Sequence, residues 1–378
     1  MPTRQEIAAR AADAVENAAP FECFVGFDGF IDLILRPVAK RRSMAADDYE
    51  PMRTMADFAA RVGAAAGKST NIETVLVETR FGGNAPLLAG ALGRLGLSVE
   101  FAGAVGASPG TRTPLHKAFE PFAQRCASVV TLGEPSTTAC YEFADGKLML
   151  NDRANVQAVT WDAVRSAYGP TGLTAALSRA RLVAVVNWSL LGGTQGILEA
   201  LARDVMPGLP RTPRRFFVDL ADPSPRSAGD LSACLRTLGD MQRSGGGEVT
   251  LGLNLMEAEI VGGHLGVGCV AMGTLDAAAA EIRERLGLSC VVIHPREGAA
   301  AATAGERAWF DGPLCAQPRL STGAGDHFNA GFAFAQVLGL PLPECLAVGT
   351  GLSGVYVREA ESPGLGRLVS FLRELPRA

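Results

Sequence analysis

The segment STGAGDHFNAGFAFAQVLG (Ser321 to Gly339) places a carboxylate beside two glycines at the start of a helix-forming stretch. Gly323 and Gly325 let the backbone approach a ligand with no Cβ in the way. Ser321 and Thr322 are helix-capping types. Phe328 and Phe332 fall one turn apart on one helix face. Free N–H groups at a helix start, together with the helix dipole, attract an anion. On one reading Asp326, in that first turn, is simply a favourable cap charge. On the other, Gly323, Ala324 and Gly325 hold phosphoryl oxygens while Asp326 accepts a proton. The dense G-A-G-D packing favours the second reading, because that chemistry needs bare N–H groups next to a carboxylate. A rival phosphate loop fails. Gly63 to Ser69 imitates G-x-x-x-x-G-K-[ST], but Val62 stands where its first glycine belongs and the preceding ADFAARV is helical. It reads as a helix end with a basic exit.

The elements that must position Asp326 alternate between strand and helix. Residues 4–18 form a lead-in helix, and Phe21 to Phe27 is a short strand running into GFDGFID, Gly26 to Asp32. Residues 37–68 are polar and helix-prone, and Ile72 to Arg80 alternates like a strand. Pro86 suits the first turn of a helix that stops at Gly96. Thr137 to Asp152 reads as a hairpin around Asp145-Gly146. ARLVAVVNWS, RRFFVDLAD, EVTLGLNLME and LSCVVIHPRE are short apolar runs, each preceded by a helix-length segment. Such runs indicate an α/β fold, a doubly wound and mostly parallel sheet with helices on both faces. The runs end in Asn187, Asp219 and Asp222, Asn254 and Glu257, and His294, at the carboxyl ends where open α/β sheets bind ligands. Asn187 either faces a substrate or caps its strand.

Composition narrows the partners. The 378 residues carry 35 Lys+Arg against 39 Asp+Glu, a formal charge of −4, which argues against a nucleic-acid binder. The basic runs Lys40-Arg41-Arg42 and Arg214-Arg215 are short and read as solvated loops. With 48% hydrophobic and 20% charged residues the chain can bury a large core. None of the eight cysteines forms a C-x-x-C pair, so no zinc or redox motif is indicated, and a reducing cytoplasm is expected. No apolar stretch is long enough to span a membrane.

Taken together, these segments resemble the ribokinase-like (PfkB-type) carbohydrate kinases. GAGD matches one signature of that family, GGNAPLLAGALGRLG (Gly82 to Gly96) resembles its N-terminal signature, and GLNLMEAE supplies an N-x-x-E element at Asn254 and Glu257. The resemblance implies a core of residues 1–29, 82–136 and 153–378. A small β-sheet lid would come from residues 30–81, with a helical insertion, and from 137–152. It implies ATP as phosphoryl donor, a sugar or polyol as acceptor, and Asp326 as base. Asn254 and Glu257 would organise Mg²⁺ and its waters, while Gly82, Gly83 and Asn84 would line the substrate pocket. An acid at the end of the first strand, Asp32 or else Asp28, would bind substrate hydroxyls, although Asp28 is also a plausible turn residue before Gly29.

Several positions depart from the family pattern. Leu320 stands where the family carries an acid of its monovalent-cation site, which puts potassium activation in doubt. The nucleotide loop reads His294-Pro295-Arg296-Glu297-Gly298, where His294 and Arg296 either meet phosphate oxygens, with Thr322 nearby, or merely cap a strand and solvate. His327 points about 100° away from Asp326 on the helix. The alternatives are a nucleoside kinase of the same fold and a catalytically silent sugar- or nucleotide-sensing protein. A homodimer through the lid edge is expected, since an exposed sheet edge wants a partner.

Overall fold

The computed structural model describes residues 2–110 and 114–376. A capped helix, Arg4–Glu16, leads to β1 (Glu22–Phe27). The chain then crosses at once into a second sheet as β2 (Phe30–Arg41), β3 (Tyr49–Pro51) and β4 (Thr74–Gly82). It returns through the Asn84–Arg94 helix to β5 (Ser98–Gly103) and β6 (Ser128–Thr131). A second excursion makes β7 (Ser136–Phe143) and β8 (Gly146–Asp152). Strand and helix then alternate through β9 (Leu182–Val186), β10 (Arg215–Asp219), β11 (Glu248–Leu253) and β12 (Cys290–Ile293). The antiparallel β13 (Gly298–Ala302) and β14 (Arg307–Asp311) precede the Ala324–Val337 helix.

Among the described residues the large sheet runs β14-β13-β12-β11-β10-β9-β1-β5-β6, parallel from β12 to β6. Its strands are apolar on both faces because both faces are covered. Cys23 and Val25 of β1 join one core with Ala11, Leu88, Phe332 and Leu346. Their neighbour Phe24 joins the opposite core with Val183, Phe216, Leu238 and Ile282. This two-sided alternation is the doubly wound arrangement read from the apolar runs.

The small sheet is built on β2, antiparallel to β4 and β3 and parallel to β7, with β8 antiparallel to β7. Its hairpin is the one expected around Asp145-Gly146. The insertion differs from expectation. β2 extends to Arg41 and only Met55–Gly63 of the helix-prone stretch is α-helical. Thr54 caps that helix, and Ala64 to Gly67 follows as turns, in line with a helix exit.

Arg214 is a second correction. It is 2% exposed rather than solvated. Its guanidinium donates to the carbonyls of Ser178, Ala180, Pro210 and Gly246 and to the Thr212 hydroxyl. The planar fork of donors ties together three chain crossings that no helix or strand satisfies. Arg215, by contrast, pairs with Glu248 across the β10–β11 ladder. Among the described residues no helix is long and apolar enough to cross a membrane, and all eight cysteines are free thiols. Arg214→Leu leaves the Ser178, Ala180 and Gly246 carbonyls without their donor, while Pro210 O keeps the N–H of Thr212. It is expected to cost about 3 kcal/mol in urea unfolding, whereas a loss below about 1 kcal/mol would show that the guanidinium is not what holds those loops.

Candidate active site

The parallel strands deliver polar groups to one edge of the sheet. Asp28 follows β1, Asn187 follows β9, Asp219 ends β10, Asn254 follows β11 and His294 follows β12. Two helix starts converge on the same edge, at Asn84 and at Ala324.

Asp28 is fully buried. Its carboxylate accepts from the N–H groups of Asn84 (2.9 Å) and Ala85 (2.8 Å) and from Asn187 Nδ2 (2.5 Å). Burial pushes its pKa up to about 6 against those stabilising bonds. Asn187, in the left-handed region at φ 63, spends its other end on the N–H of Leu190. Both residues thus anchor the Asn84–Arg94 helix, and neither is more than 1% exposed. Gly83 also serves this anchor. Its φ is 98, and a Cβ there would come within 3.1 Å of the Asp28 carboxylate.

Asp32 is not at the end of the first strand but on β2, where it sits opposite Arg80 of β4 and Thr138 of β7. It is 7% exposed, and burial lifts its pKa to about 6, although a hydrogen bond with Thr138 and the charges of Lys147 and Arg80 pull the other way. Gly82 makes room for it, since a Cβ would fall 2.3 Å from Asp32 Oδ2.

Asp326 Oδ1 accepts from Asn84 Nδ2 at 3.0 Å. Burial, with the charges of Asp219 and Asp28, holds its pKa well above the usual aspartate range. The helix N-cap is Gly323 in the left-handed region, with no side-chain cap, so Ser321 and Thr322 do not cap as their types suggested. The Ala324 N–H closes a turn on Ser321 O at 3.2 Å. Among the described residues, Gly323, Gly325 and Asp326 have N–H groups with no partner, so of the expected Gly323–Gly325 donors only that of Ala324 is spent within the turn. The loop is braced from behind. Tyr356 donates its hydroxyl to Thr322 O (2.7 Å), and His327 Nδ1 lies 2.7 Å from Gly323 O. A carbonyl only accepts, so Nδ1 carries the proton and Nε2 accepts from Ser362. His327 stacks on Tyr356 with centroids 3.6 Å apart and is fully buried, so it supports the loop rather than facing a ligand.

A cavity of about 910 Å³ opens beside this turn, lined by Lys147, Asn254, His294, Arg296, Ser321 and Gly325 among others. Arg296 is exposed at its wall. His294 packs on Phe328 (4.7 Å) with its Nε2 buried and unpartnered, and burial lowers its pKa to about 4. In the ligand-free protein this burial favours the neutral imidazole. Its Cε1 lies 3.3 Å from where a Gly325 Cβ would be, which explains a glycine there.

Asn254 and Glu257 form a reciprocal capping box, with Glu257 N–H to Asn254 Oδ1 (2.9 Å) and Asn254 N–H to Glu257 Oε2 (2.8 Å). Burial and the charges of Asp219 and Asp222 hold Glu257 well above the usual glutamate range. Asp219 accepts from Asn329 and from the Ala221 N–H, both at 2.7 Å. Among the described residues no three His, Cys, Asp or Glu side chains are set to hold a metal directly. Two buried acids already engaged by protein donors fit Mg²⁺ held through its waters, since Mg²⁺ dehydrates reluctantly.

Sequence reading missed Lys147, Tyr356 and Thr138, which come from remote segments and carry no motif. Asp219 was noticed only as a strand end.

A doubly wound sheet with a second small sheet over its carboxyl edge, and a glycine-opened helix start at Asp326, define the ribokinase-like fold. A sequence profile described as prokaryotic ketohexokinase matches residues 2–375, and the chain belongs to that family of sugar phosphotransferases. A ketohexokinase of Haloferax volcanii is 30% identical over 380 residues, covering 98% of this chain and 97% of that one. Among solved structures, Arabidopsis thaliana ribokinase complexed with ribose and ATP aligns with TM-score 0.62 and 17% identity over 94% of this chain and 99% of that one. A Methanocaldococcus jannaschii nucleoside kinase aligns at 0.63 and 14% over 93% and 98%. These two likenesses speak for the fold.

The Asp32 environment carries a pH signature. Its folded pKa is raised from 3.8 to about 6, so the neutral form is the favoured one. Its contribution to stability is full below pH 3.8 and is lost as pH rises through about 6. Asp32→Asn mimics the neutral form. Relative to the wild type it is expected to gain on the order of 2 kcal/mol between pH 4 and pH 7, read by thermal unfolding; a difference flat with pH would contradict this environment.

Proposed function

We propose that this chain transfers the γ-phosphoryl group of ATP to a hydroxyl of a ketohexose such as fructose, with Asp326 as the base. The observation that carries the reading is Asp326 itself, buried in the first helical turn beside two free N–H groups and held by Asn84. The family match favours a ketohexose over the nucleoside alternative.

Phosphoryl transfer has a loose transition state, so the protein positions reactants and offsets charge. The triphosphate lies in the large cavity, with its terminal group toward the Gly325 and Asp326 N–H groups. Arg296 reaches its oxygens, and His294 shapes the wall as a neutral group. The sugar lies between Asp326, Asn84 and Asp32. Glu257 and Asn254, beside Asp219, would hold Mg²⁺ through its waters, where it would supply positive charge to the phosphates. The hydroxyl proton leaves late, when bonding to phosphorus has acidified it, so a carboxylate suffices as base. Asp326 is then better prepared than an ordinary aspartate, because its raised pKa makes it a stronger acceptor once ionised.

The small sheet acts as a lid that excludes water from the γ-phosphate. The chain divides accordingly into core segments 1–29, 82–136 and 153–378 and lid segments 30–81 and 137–152. A second copy would cover the free edge of β4, where Leu76 is 54% and Val77 45% exposed. A cytoplasmic location accords with eight free thiols.

ADP release should be screened over fructose, other ketoses, aldoses, polyols and nucleosides, with Asp326→Asn as the blank. Turnover is expected on a ketohexose, and Asp326→Asn is expected to lower kcat by about 10³-fold while ATP still binds. Turnover on nucleosides alone would contradict the sugar assignment, ATP binding without turnover on any acceptor would favour a sensor, and a fully active Asp326→Asn would remove the base. Potassium is expected to be dispensable, since the Thr322 and Gly323 carbonyls are held by Tyr356 and His327 and Leu320 brings no charge. Activation by K⁺ over Na⁺ of more than about threefold would contradict this and point to an ion organising the loop.

A further inference from the structure

Lys147 stands in β8 directly opposite Glu142 of β7, the cross-strand geometry in which opposite charges usually pair. It does not pair. Among the described residues no ion pair includes Lys147, and its Nζ instead crosses the cleft to donate to Thr322 Oγ1 at 2.7 Å, linking positions 175 residues apart. Thr322 immediately precedes the glycine that opens the anion-facing turn. A charged amine that passes over a neighbouring carboxylate for a neutral hydroxyl has two donors left to point into the cavity, whose wall it forms. The walls enclose the amine enough to lower its pKa, while Asp32, Glu142 and Asp326 lie close enough to favour its charged form. Lys147 is thus a cation at the mouth of an acidic site, carried by the lid rather than the core.

We propose that Lys147 is a catalytic residue, a lid-borne cation that contacts the γ-phosphoryl as it passes from ADP to the acceptor. The proposal rests on the kinase reading above. In the step, the acceptor oxygen forms a bond to phosphorus while the bond from phosphorus to the bridging oxygen of ADP breaks. The electron pair stays on ADP, and the hydroxyl proton goes to Asp326. Charge builds on the equatorial and bridging oxygens, next to Thr322, where the Lys147 ammonium can swing from hydroxyl to phosphoryl with little movement. Because the cation rides on the small sheet, the charge arrives only when that sheet is down, which couples catalysis to exclusion of water.

The test compares Lys147→Ala and Lys147→Arg with wild type, using kcat and KM for fructose. Calorimetry with Mg²⁺ and either ADP or AMP-PNP completes it. Lys147→Ala is expected to lower kcat by about 10²-fold with KM for fructose changed less than about threefold. Its AMP-PNP affinity should fall by about tenfold and its ADP affinity by less than about twofold, because only the former carries a γ-phosphate. Lys147→Arg should regain at least about tenfold of the lost kcat. A kcat within about threefold of wild type overturns the proposal, as does an equal loss of affinity for both nucleotides. If wild type does not turn over fructose, the sugar assignment fails, and the contrast between ADP and AMP-PNP, which needs no sugar, still decides the role of Lys147.

Discussion

A carboxylate removed from water must be answered by hydrogen bonds or by a positive charge, and this site buries five of them. Asp28, Asp32, Asp219, Glu257 and Asp326 are each 7% exposed or less, and none has an ion-pair partner among the described residues. Neutral donors hold them. Asp28 takes the N–H groups of a helix start, Glu257 completes a capping box, and Asp219 is held by Asn329. Asp326 has only Asn84. Such a cluster repels itself: Asp219, Asp28 and Glu257 add to the burial that raises the Asp326 pKa, and Asp219 does the same to Glu257. On the proposed function, Mg²⁺ and the Lys147 ammonium would relieve that repulsion, so the acids that burden the free protein would be what draws the reacting assembly together.

The rest of the fold follows from delivering these groups to one edge. Parallel strands present their carboxyl ends together, and two helix starts meet them there, one with its N–H groups on Asp28 and the other with N–H groups left open. The two cores on either side of the sheet fix the strand ends. Asp28 then fixes the Asn84–Arg94 helix, and Asn84 in turn fixes Asp326. The chain of support runs from the first strand to the Asp326 turn through two side chains. The Tyr356 and His327 stack performs the same service for the backbone of that turn.

The parallel sheet was legible in the sequence because burial on both faces leaves unbroken apolar runs, and Asp326 because G-A-G-D has few structural alternatives. Local signals are ambiguous where one residue type serves two purposes. Asn254 and Glu257 have the spacing of a capping box as well as of a metal element; the structure shows the box, which is compatible with the water-mediated Mg²⁺ role proposed for them. Asp28 and Asn187 have the types of sugar ligands but face inward. Ser321 and Thr322 are good caps displaced by a glycine whose φ of 88 opens the helix instead. Arg214 looked solvated because nothing local announces four remote carbonyls. Lys147 was invisible for the same reason, since its significance depends on a pairing across the cleft that neither segment encodes alone.

The central claim is that Asp326 is kept proton-avid by uncompensated burial and becomes an ionised base when cations arrive with the nucleotide. Carboxyl-¹³C NMR of labelled aspartates, with Asp326→Asn to assign the resonance, follows this directly. Asp326 is expected to titrate above the ordinary aspartate range in the ligand-free protein and to move down when Mg²⁺ and AMP-PNP are added. Titration at the ordinary aspartate value in both states would contradict the account.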